Sequence, residues 1–301
     1  FHANLSKTGE IQTLIGIIFL LADIRVALGR LHEAKNSYEQ ILRLAINQGE
    51  PSPPGTADLY RGLSELCVEW NDLEAAEQHL LTSQKLGEQA PVTDWTHRLY
   101  VSQALLKEAR GDLNDALALL DEAERVYVRS PLPEVRPVPA LKARVWLKQG
   151  KLAKALSWVR EQGLTVKDDI SYMWEFEYIT IARVLIAAGK NDQEAGPLDD
   201  ATRLLERLLK AAEISARVGS IIQVLVLQAV AFQAQNKLPS ALAALERALA
   251  LAEPEGYIRI FVDEGEAIRS LIEKLSHNID HPLAGYAAKL LAAFTQTPII
   301  T

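Results

Sequence analysis

The sequence predicts an all-α fold: a row of antiparallel helix hairpins repeated six or seven times. Three observations carry this reading. Proline and glycine are sparse, 13 and 16 in 301 residues, and fall mostly between long stretches of helical apolar periodicity. No stretch alternates like a strand for more than a few positions. The best strand candidate, Tyr257-Ile-Arg-Ile-Phe261, reads as helix because Ile258, Phe261 and Val262 share one helix face. Finally, a short phrase recurs with a period near forty.

The phrase is a Gly or Asn followed five residues later by alanine. It appears as Gly29-Arg-Leu-His-Glu-Ala34, Asn71-Asp-Leu-Glu-Ala-Ala76, Gly111-Asp-Leu-Asn-Asp-Ala116, Gly150-Lys-Leu-Ala-Lys-Ala155 and Asn236-Lys-Leu-Pro-Ser-Ala241. A further copy is expected to start at Gly189 and, after an insertion, to reach its alanine at Ala201. The Gly or Asn can turn left-handed and end one helix, and the alanine lies on the next. Counting back twelve from the alanines gives Ala22, Ser64, Ala104, Ala143 and Ala229, while Ala182 serves the Gly189 copy. Small residues are roughly a quarter of the chain, so five of five by chance is on the order of one in a thousand. Small-on-small contact lets two helices cross closely. Tyr38, Leu80, Leu120, Val159, Leu205 and Leu245, four residues past each alanine, are the bulky knobs beside the crossing. The expected units run approximately over 11–49, 56–90, 95–130, 137–163, 173–216 and 219–253, with capping helices over 255–296, all within one domain.

This pattern resembles the tetratricopeptide repeat, which implies a right-handed superhelix. The second copy fits best, with Tyr60, Leu63, Ser64 and Cys67 in the motif's aromatic, Leu, small and bulky places. The period departs from the usual thirty-four, and Arg25 and Lys107 stand where a bulky apolar residue is usual. Longer phrases are similar to those of the helical region in MalT-like regulators, the large ATP-dependent transcriptional activators of the LuxR class. They are Trp70-Asn-Asp-Leu-Glu-Ala-Ala-Glu-Gln-His-Leu80, Glu175-Phe-Glu-Tyr-Ile-Thr-Ile-Ala-Arg-Val-Leu185 and, most specifically, Glu253-Pro-Glu-Gly-Tyr-Ile-Arg-Ile-Phe-Val-Asp-Glu-Gly265. The closing Lys289-Leu-Leu-Ala-Ala-Phe294 falls where that family passes into a DNA-reading domain. The resemblance implies that the segment receives an inducer or a regulatory protein and controls self-association of the activator. ATP is then expected only in a preceding nucleotide-binding module. Gly150-Lys151 and Gly189-Lys190 lack the glycine spacing and following hydroxyl of a phosphate loop.

Composition narrows the partners. The net charge is −7, with no basic excess to grip a duplex, so this segment is expected not to bind nucleic acid. The apolar run from Leu14 to Ala22 is about half a bilayer crossing. It is followed at once by Asp23 and Arg25, so neither a membrane span nor a signal peptide is expected. A single cysteine, Cys67, fits a reducing cytoplasm. The chain opens on Phe1 and its only methionine is Met173, so it is expected to be a piece of a longer protein.

In stacked hairpins the first helix of each pair lines the concave side. That places Asp58, Arg61, Glu65, His97, Arg98, Val101, Arg144, Glu175, Phe176, Ile179 and Arg183 there. The candidate effector site is Arg61, Glu65, Arg98, Arg144, Trp174, Phe176 and Arg183, whose forked donors and aromatic planes suit carboxylates, phosphates or sugar hydroxyls. The other reading is that these arginines pair with Asp58, Glu65 or Glu175 along a solvated helix face. Trp95 and Trp174 precede helices and could stack on a ligand, whereas Trp146 and Trp158 fall on packing positions.

Catalytic chemistry is not expected. His277 and His281 sit at a helix end before Pro282, and His79 and His97 lack a general base's carboxylate spacing. Asp168-Asp169 and Asp199-Asp200 read as solvated loop pairs, and Cys67 as a small apolar residue. The proline-rich stretch Ser130–Pro139 reads as a spacer. The expected function is effector sensing; the alternative is a constitutive protein-interaction scaffold.

Overall fold

The computed structural model describes residues 2–47, 52–89, 92, 94–128, 134–165, 170–192, 195–276 and 282–296. Among them are fifteen α-helices, two 3-10 turns and no strand. Six hairpins form in order. They are α1 (His2–Ala27) with α2 (Leu31–Ile46), α3 (Thr56–Glu69) with α4 (Leu73–Gln89), and α5 (Trp95–Ala109) with α6 (Leu113–Arg125). Then come α7 (Val138–Lys148) with α8 (Leu152–Gln162), α9 (Glu175–Asp192) with α10 (Ala195–Ile214), and α11 (Val218–Ala234) with α12 (Leu238–Ala252). The short α13 (Arg259–Val262), α14 (Glu266–Ser276) and α15 (Ala284–Gln296) close the chain. Two compact units result, Phe1–Ser130 and Pro131–Thr301. Within each unit the first helix of a hairpin also packs on the preceding hairpin: α3 on α1 and α2, α5 on α3 and α4, α9 on α7 and α8, α11 on α9 and α10.

The recurring phrase does the turning. Gly29, Asn71, Gly111, Gly150 and Asn236 all take positive φ, between 59° and 85°. At each turn the next residue's N–H reaches back five residues to a helix carbonyl, as Arg30 N to Arg25 O at 2.8 Å and Lys237 N to Phe232 O at 2.8 Å. The turn residue bonds three back, which completes a Schellman cap. The crossing alanines 34, 76, 116, 155, 201 and 241 are fully buried, and their first-helix partners Ala22, Ser64, Ala104, Ala143, Ala182 and Ala229 are no more than 2% exposed. Five knobs are buried; Val159 is half-buried, and Trp158 beside it fills the core instead.

Arg25 and Lys107, which depart from the repeat pattern, tie each hairpin's first helix to its second. The Arg25 guanidinium donates to the Ser37 hydroxyl and lies 3.5 Å from Glu33, and Lys107 Nζ reaches Asp112 at 3.4 Å and Asp115 at 3.2 Å. A long basic stem lying over the crossing replaces apolar contact with a polar clasp.

Three expectations change. Gly189 does not end a helix: α9 runs on to Asp192. The glycine lets Leu198 of α10 approach, since a Cβ there would lie 2.5 Å from Leu198 Cγ. Trp95 is no ligand-stacking loop residue. It begins α5, is 5% exposed, and sits over Gly87 of α4, where a Cβ would meet its ring at 2.0 Å. Trp146 is half-buried under Lys154, 5.9 Å from the ring centroid, not a full core residue. His277, Asp280, His281, Asp168 and Asp169 lie outside the described residues.

Ser64 tests the close crossing. Its buried hydroxyl finds no partner among the described groups, so Ser64→Ala is expected to be neutral or stabilising. Ser64→Leu, by contrast, should cost about 1–3 kcal/mol through overpacking. Urea unfolding of the two variants beside the parent measures both.

Candidate functional site

Let the small crossing residue define each first helix. The residue six before it and the residue one after it lie seven apart, two turns on one face. These places hold Asp58 and Glu65 on α3, Arg98 and Leu105 on α5, Phe176 and Arg183 on α9, and Gln223 and Val230 on α11, with Arg144 on α7. Neighbouring first helices meet along this face, and the predicted residues other than Trp174 gather along it in two groups, one per unit.

In the first unit the centre is Asp58, 5% exposed. It receives Arg61 Nε at 3.2 Å, Arg98 Nε at 3.0 Å and Arg98 Nη2 at 2.8 Å. Arg61 also pairs with Glu65, which accepts from the Ser102 hydroxyl at 2.6 Å, and Arg98 reaches Asp94 at 3.3 Å. The ring of Phe19 on α1 lies 4.9 Å from the Arg61 guanidinium and 5.9 Å from that of Arg98. Burial would pull the Arg61 pKa down, but Glu65 and Asp58 more than offset it and hold it above the ordinary range. The arginines therefore do pair with carboxylates. The face is buried at Asp58, Arg61 and Ser102 and half-buried at Glu65 and Arg98, because each α5 residue in the cluster covers one of α3.

In the second unit the Arg144 guanidinium lies over Phe176, 3.6 Å from the ring centroid, and donates through Nε to Thr180 at 2.9 Å. Arg183 pairs with Glu264. The Gln223 amide, oriented as the two guanidinium groups require, accepts from Arg144 Nη1 and Arg183 Nη2, both at 3.3 Å. Three first helices are thus joined through one amide. Glu175 is occupied elsewhere, by Arg217 at 3.1 Å and by Ser220. Trp174 stands 49% exposed on the 3-10 turn Tyr172–Trp174 ahead of α9, beside the exposed Tyr172 and Met173. Phe176 and Arg144 are half-buried.

Sequence reading missed Gln223, Phe19, Lys148, Asp263 and Glu264. The six-before place on α11 would have found Gln223; the carboxylates arrive from a distant segment with no register signal. That segment is the phrase Glu253–Gly265. Asp263 pairs with Arg259 and with Lys148 at 3.4 Å. Burial opposes its ionisation, but Lys148 and then Arg259 prevail and hold its carboxyl below the usual range. Phe261 is fully buried and meets Tyr286 edge-on at 6.2 Å, while the Tyr286 hydroxyl donates to the Tyr257 carbonyl. The phrase therefore ties α7 and α9 to α15.

Nearby groups with catalytic potential are otherwise engaged. His97 Nδ1 lies 2.9 Å from the Ala123 carbonyl, and burial pushes the Cys67 thiol up, away from the thiolate a nucleophile needs. Among the described residues no group of three His, Cys, Asp or Glu could hold a metal, and no helix is long and apolar enough to cross a membrane. A cleft lined by Ser52, Pro53, Gly55, Thr56, Leu86 and Gln89 holds about 30 Å³, room for water and not for a sugar ring.

Stacked helix hairpins with a polar face running across their first helices define a tetratricopeptide-type repeat region. A family model described as the MalT-like TPR region matches residues 2–278, and the chain belongs to that family. It is 26% identical over 259 residues to the HTH-type transcriptional regulator MalT of Yersinia pestis (strain Pestoides F), covering 84% of this chain and 27% of that protein. It is equally 26% identical over 257 residues to the regulator of that name from Serratia proteamaculans (strain 568), again with 84% and 27% coverage. The chain spans about a quarter of the length of these relatives.

Two outcomes follow. Removing the buried guanidinium with Arg61→Met leaves Asp58 on Arg98 and Glu65 on the Ser102 hydroxyl, and should cost about 1–3 kcal/mol in urea unfolding. Glu177 is 3% exposed, and its Oε2 accepts no hydrogen bond among the described groups. Burial lifts its pKa, with Glu134 adding to the rise and Arg144 opposing it. A raised carboxyl destabilises the fold as pH climbs through the ordinary glutamate value, about 4.3, and fully so above the folded value. Glu177→Gln should therefore melt higher than the parent at about pH 7–8, with the gap closing at about pH 3.5, as thermal melts across pH would read.

Proposed function

We propose that this chain is the effector-sensing and interaction region of a MalT-like transcriptional regulator, and that the effector is received in the second unit. One observation carries the reading. Arg144, stacked on Phe176, and Arg183, joined to it through Gln223, present oriented guanidinium forks beside the exposed turn Tyr172–Trp174. Half-buried forks beside an aromatic plane suit a ligand carrying carboxylate, phosphate or clustered hydroxyl groups. Arg61 and Glu65 serve better as structure, since Arg61 is 5% exposed and enclosed by Asp58, Glu65 and Phe19.

An effector or regulatory protein that prefers one arrangement of the hairpins shifts the regulator between resting and self-associating states. Its leverage equals its differential affinity for the two, however tightly it binds either. We read the region as non-catalytic, because Cys67 and His97 are committed to the core. ATP belongs to a separate nucleotide-binding module, operator DNA to a separate reading domain, and the site of action is the cytoplasm.

A thermal-shift screen against oligosaccharides, nucleotides, amino acids and organic phosphates tests this. A ligand at a hundred times its dissociation constant should add about 2.7 kcal/mol to the second unit. The shift should vanish in Arg144→Ala and Arg183→Ala and persist in Arg98→Ala. A shift that survives both second-unit changes would move the effector elsewhere, and a blank screen with the full-length regulator would favour the scaffold reading.

A further inference from the structure

The register that organises the hairpins also shows a face left open. Relative to the crossing residue, consider the positions five before, two before and two after. On α3 these are Leu59, Gly62 and Leu66, and on α5 Leu99, Ser102 and Leu106. On α9 they are Glu177, Thr180 and Val184, and on α11 Val224, Leu227 and Ala231. All twelve are buried. Each of these helices packs on the preceding hairpin, and individual contacts show that hairpin covering the face. A Cβ on Gly62 would meet the Tyr38 ring of α2 at 2.4 Å. Leu99 and Leu106 share a core cluster with Ala57, Cys67, Ala76 and Leu80 of α3 and α4. Ser102 bonds Glu65 of α3, and Thr180 accepts from Arg144 of α7.

On α1 the same three positions are Ile17, Leu20 and Ile24, and they are 54%, 42% and 56% exposed. Leu14, one turn earlier, extends the stripe at 41%. A contiguous apolar stripe of this kind on a soluble surface marks an interaction site. The other end of the chain differs: among the described residues, no large apolar side chain after Leu238 is exposed.

We propose that the Leu14–Ile24 face of α1 is a stacking surface for one more helix hairpin of the same repeat type, seated on α1 as α3–α4 seat on α5. The occupant follows from continuity with the stacking already present. The same three register positions are buried on four first helices that each pack on the preceding hairpin, and Ile17, Leu20 and Ile24 match Leu99, Ser102 and Leu106 in register, with apolar side chains at all three. A second copy docked through the same face would set these α1 positions against themselves, whereas the contacts named above join this face to other positions of the preceding hairpin. This inference is independent of the effector site.

Two measurements decide it. In an Ile17→Cys variant of the isolated chain, maleimide should label residue 17 rapidly, with the buried Cys67 as internal reference; in the full-length protein labelling should slow at least tenfold. Equal rates in the two contexts would overturn the proposal. A graft then tests the kind of occupant: residues 52–94, an α3–α4 hairpin with its exit loop, joined directly to Thr13, so that α1 follows the hairpin as α5 does. Amide exchange across residues 13–27 should slow by at least tenfold, and Ile17→Asp with Ile24→Asp should abolish that gain. A helical graft that leaves exchange unchanged would overturn the assignment. So would sedimentation showing the ungrafted chain as a dimer that the two Asp substitutions dissolve, since a second copy would then be the occupant.

Discussion

The structure rests on how closely two helices can approach at one crossing. Helix axes separate to about 8 Å only when both surfaces are small at the contact, against about 10 Å with larger side chains. Here the contact is Ala or Ser on one side and Ala on the other in every hairpin, with scarcely any exposure on either. In five of the hairpins that approach shortens the link between helices to a turn of three residues, and a turn so tight needs a left-handed residue. Gly29, Asn71, Gly111, Gly150 and Asn236 supply it. With the crossing fixed, the space on either side must be filled, which is the work of Tyr38, Leu80, Leu120, Leu205 and Leu245. A hairpin built this way has two faces that it cannot cover alone, and stacking is the consequence.

Stacking also decides what happens to charge. The first helices bring their polar residues against one another and partly out of water, where an unpaired charge costs several kcal/mol. Every well-buried guanidinium accordingly has a carboxylate, hydroxyl or amide within reach: Arg61 has Asp58 and Glu65, Arg183 has Glu264 and Gln223, and Arg217 has Glu175. Such pairs contribute little net stability. Their geometry is specific instead, since Asp58 accepts from α3 and α5 at once and Gln223 from α7 and α9. They set which residue of one hairpin lies beside which residue of the next.

This separates what the sequence discloses from what it does not. The crossing register was legible because it is local: a turn residue, an alanine five later, a small residue twelve earlier. The location of Arg61, Arg98, Arg144 and Arg183 on one face followed from the same count. Arg61's local partners Asp58 and Glu65 were legible in the sequence as well, but the cross-hairpin pairings could not be assigned, because Asp58 meets Arg98 across 40 residues and Glu264 meets Arg183 across 81. Two local signals misled for a related reason. Trp95 follows a loop, and nothing nearby states that Gly87 has cleared space for its ring. Gly189 matches the turn glycines in sequence, yet its use is to admit Leu198, so the helix continues.

The pairing also constrains how an effector could act in the second unit. Arg183 is already held by Glu264, and Arg144 by Phe176, Thr180 and Gln223. A ligand engaging either guanidinium must therefore exchange for an existing partner, and its gain is the difference between two similar polar contacts. A small difference makes a poor binder but leaves room for a large structural effect, because Glu264 is not a free side chain. It belongs to the segment that holds Lys148 through Asp263 and packs Phe261 against Tyr286 of α15. Displacing it loosens a tie between α9 and the closing helices. An effector that contacts α7 and α9 while leaving Glu264 in place would bind without shifting that tie, whereas an exchanging ligand would bind best where the tie is released, a differential affinity of the kind a switch requires.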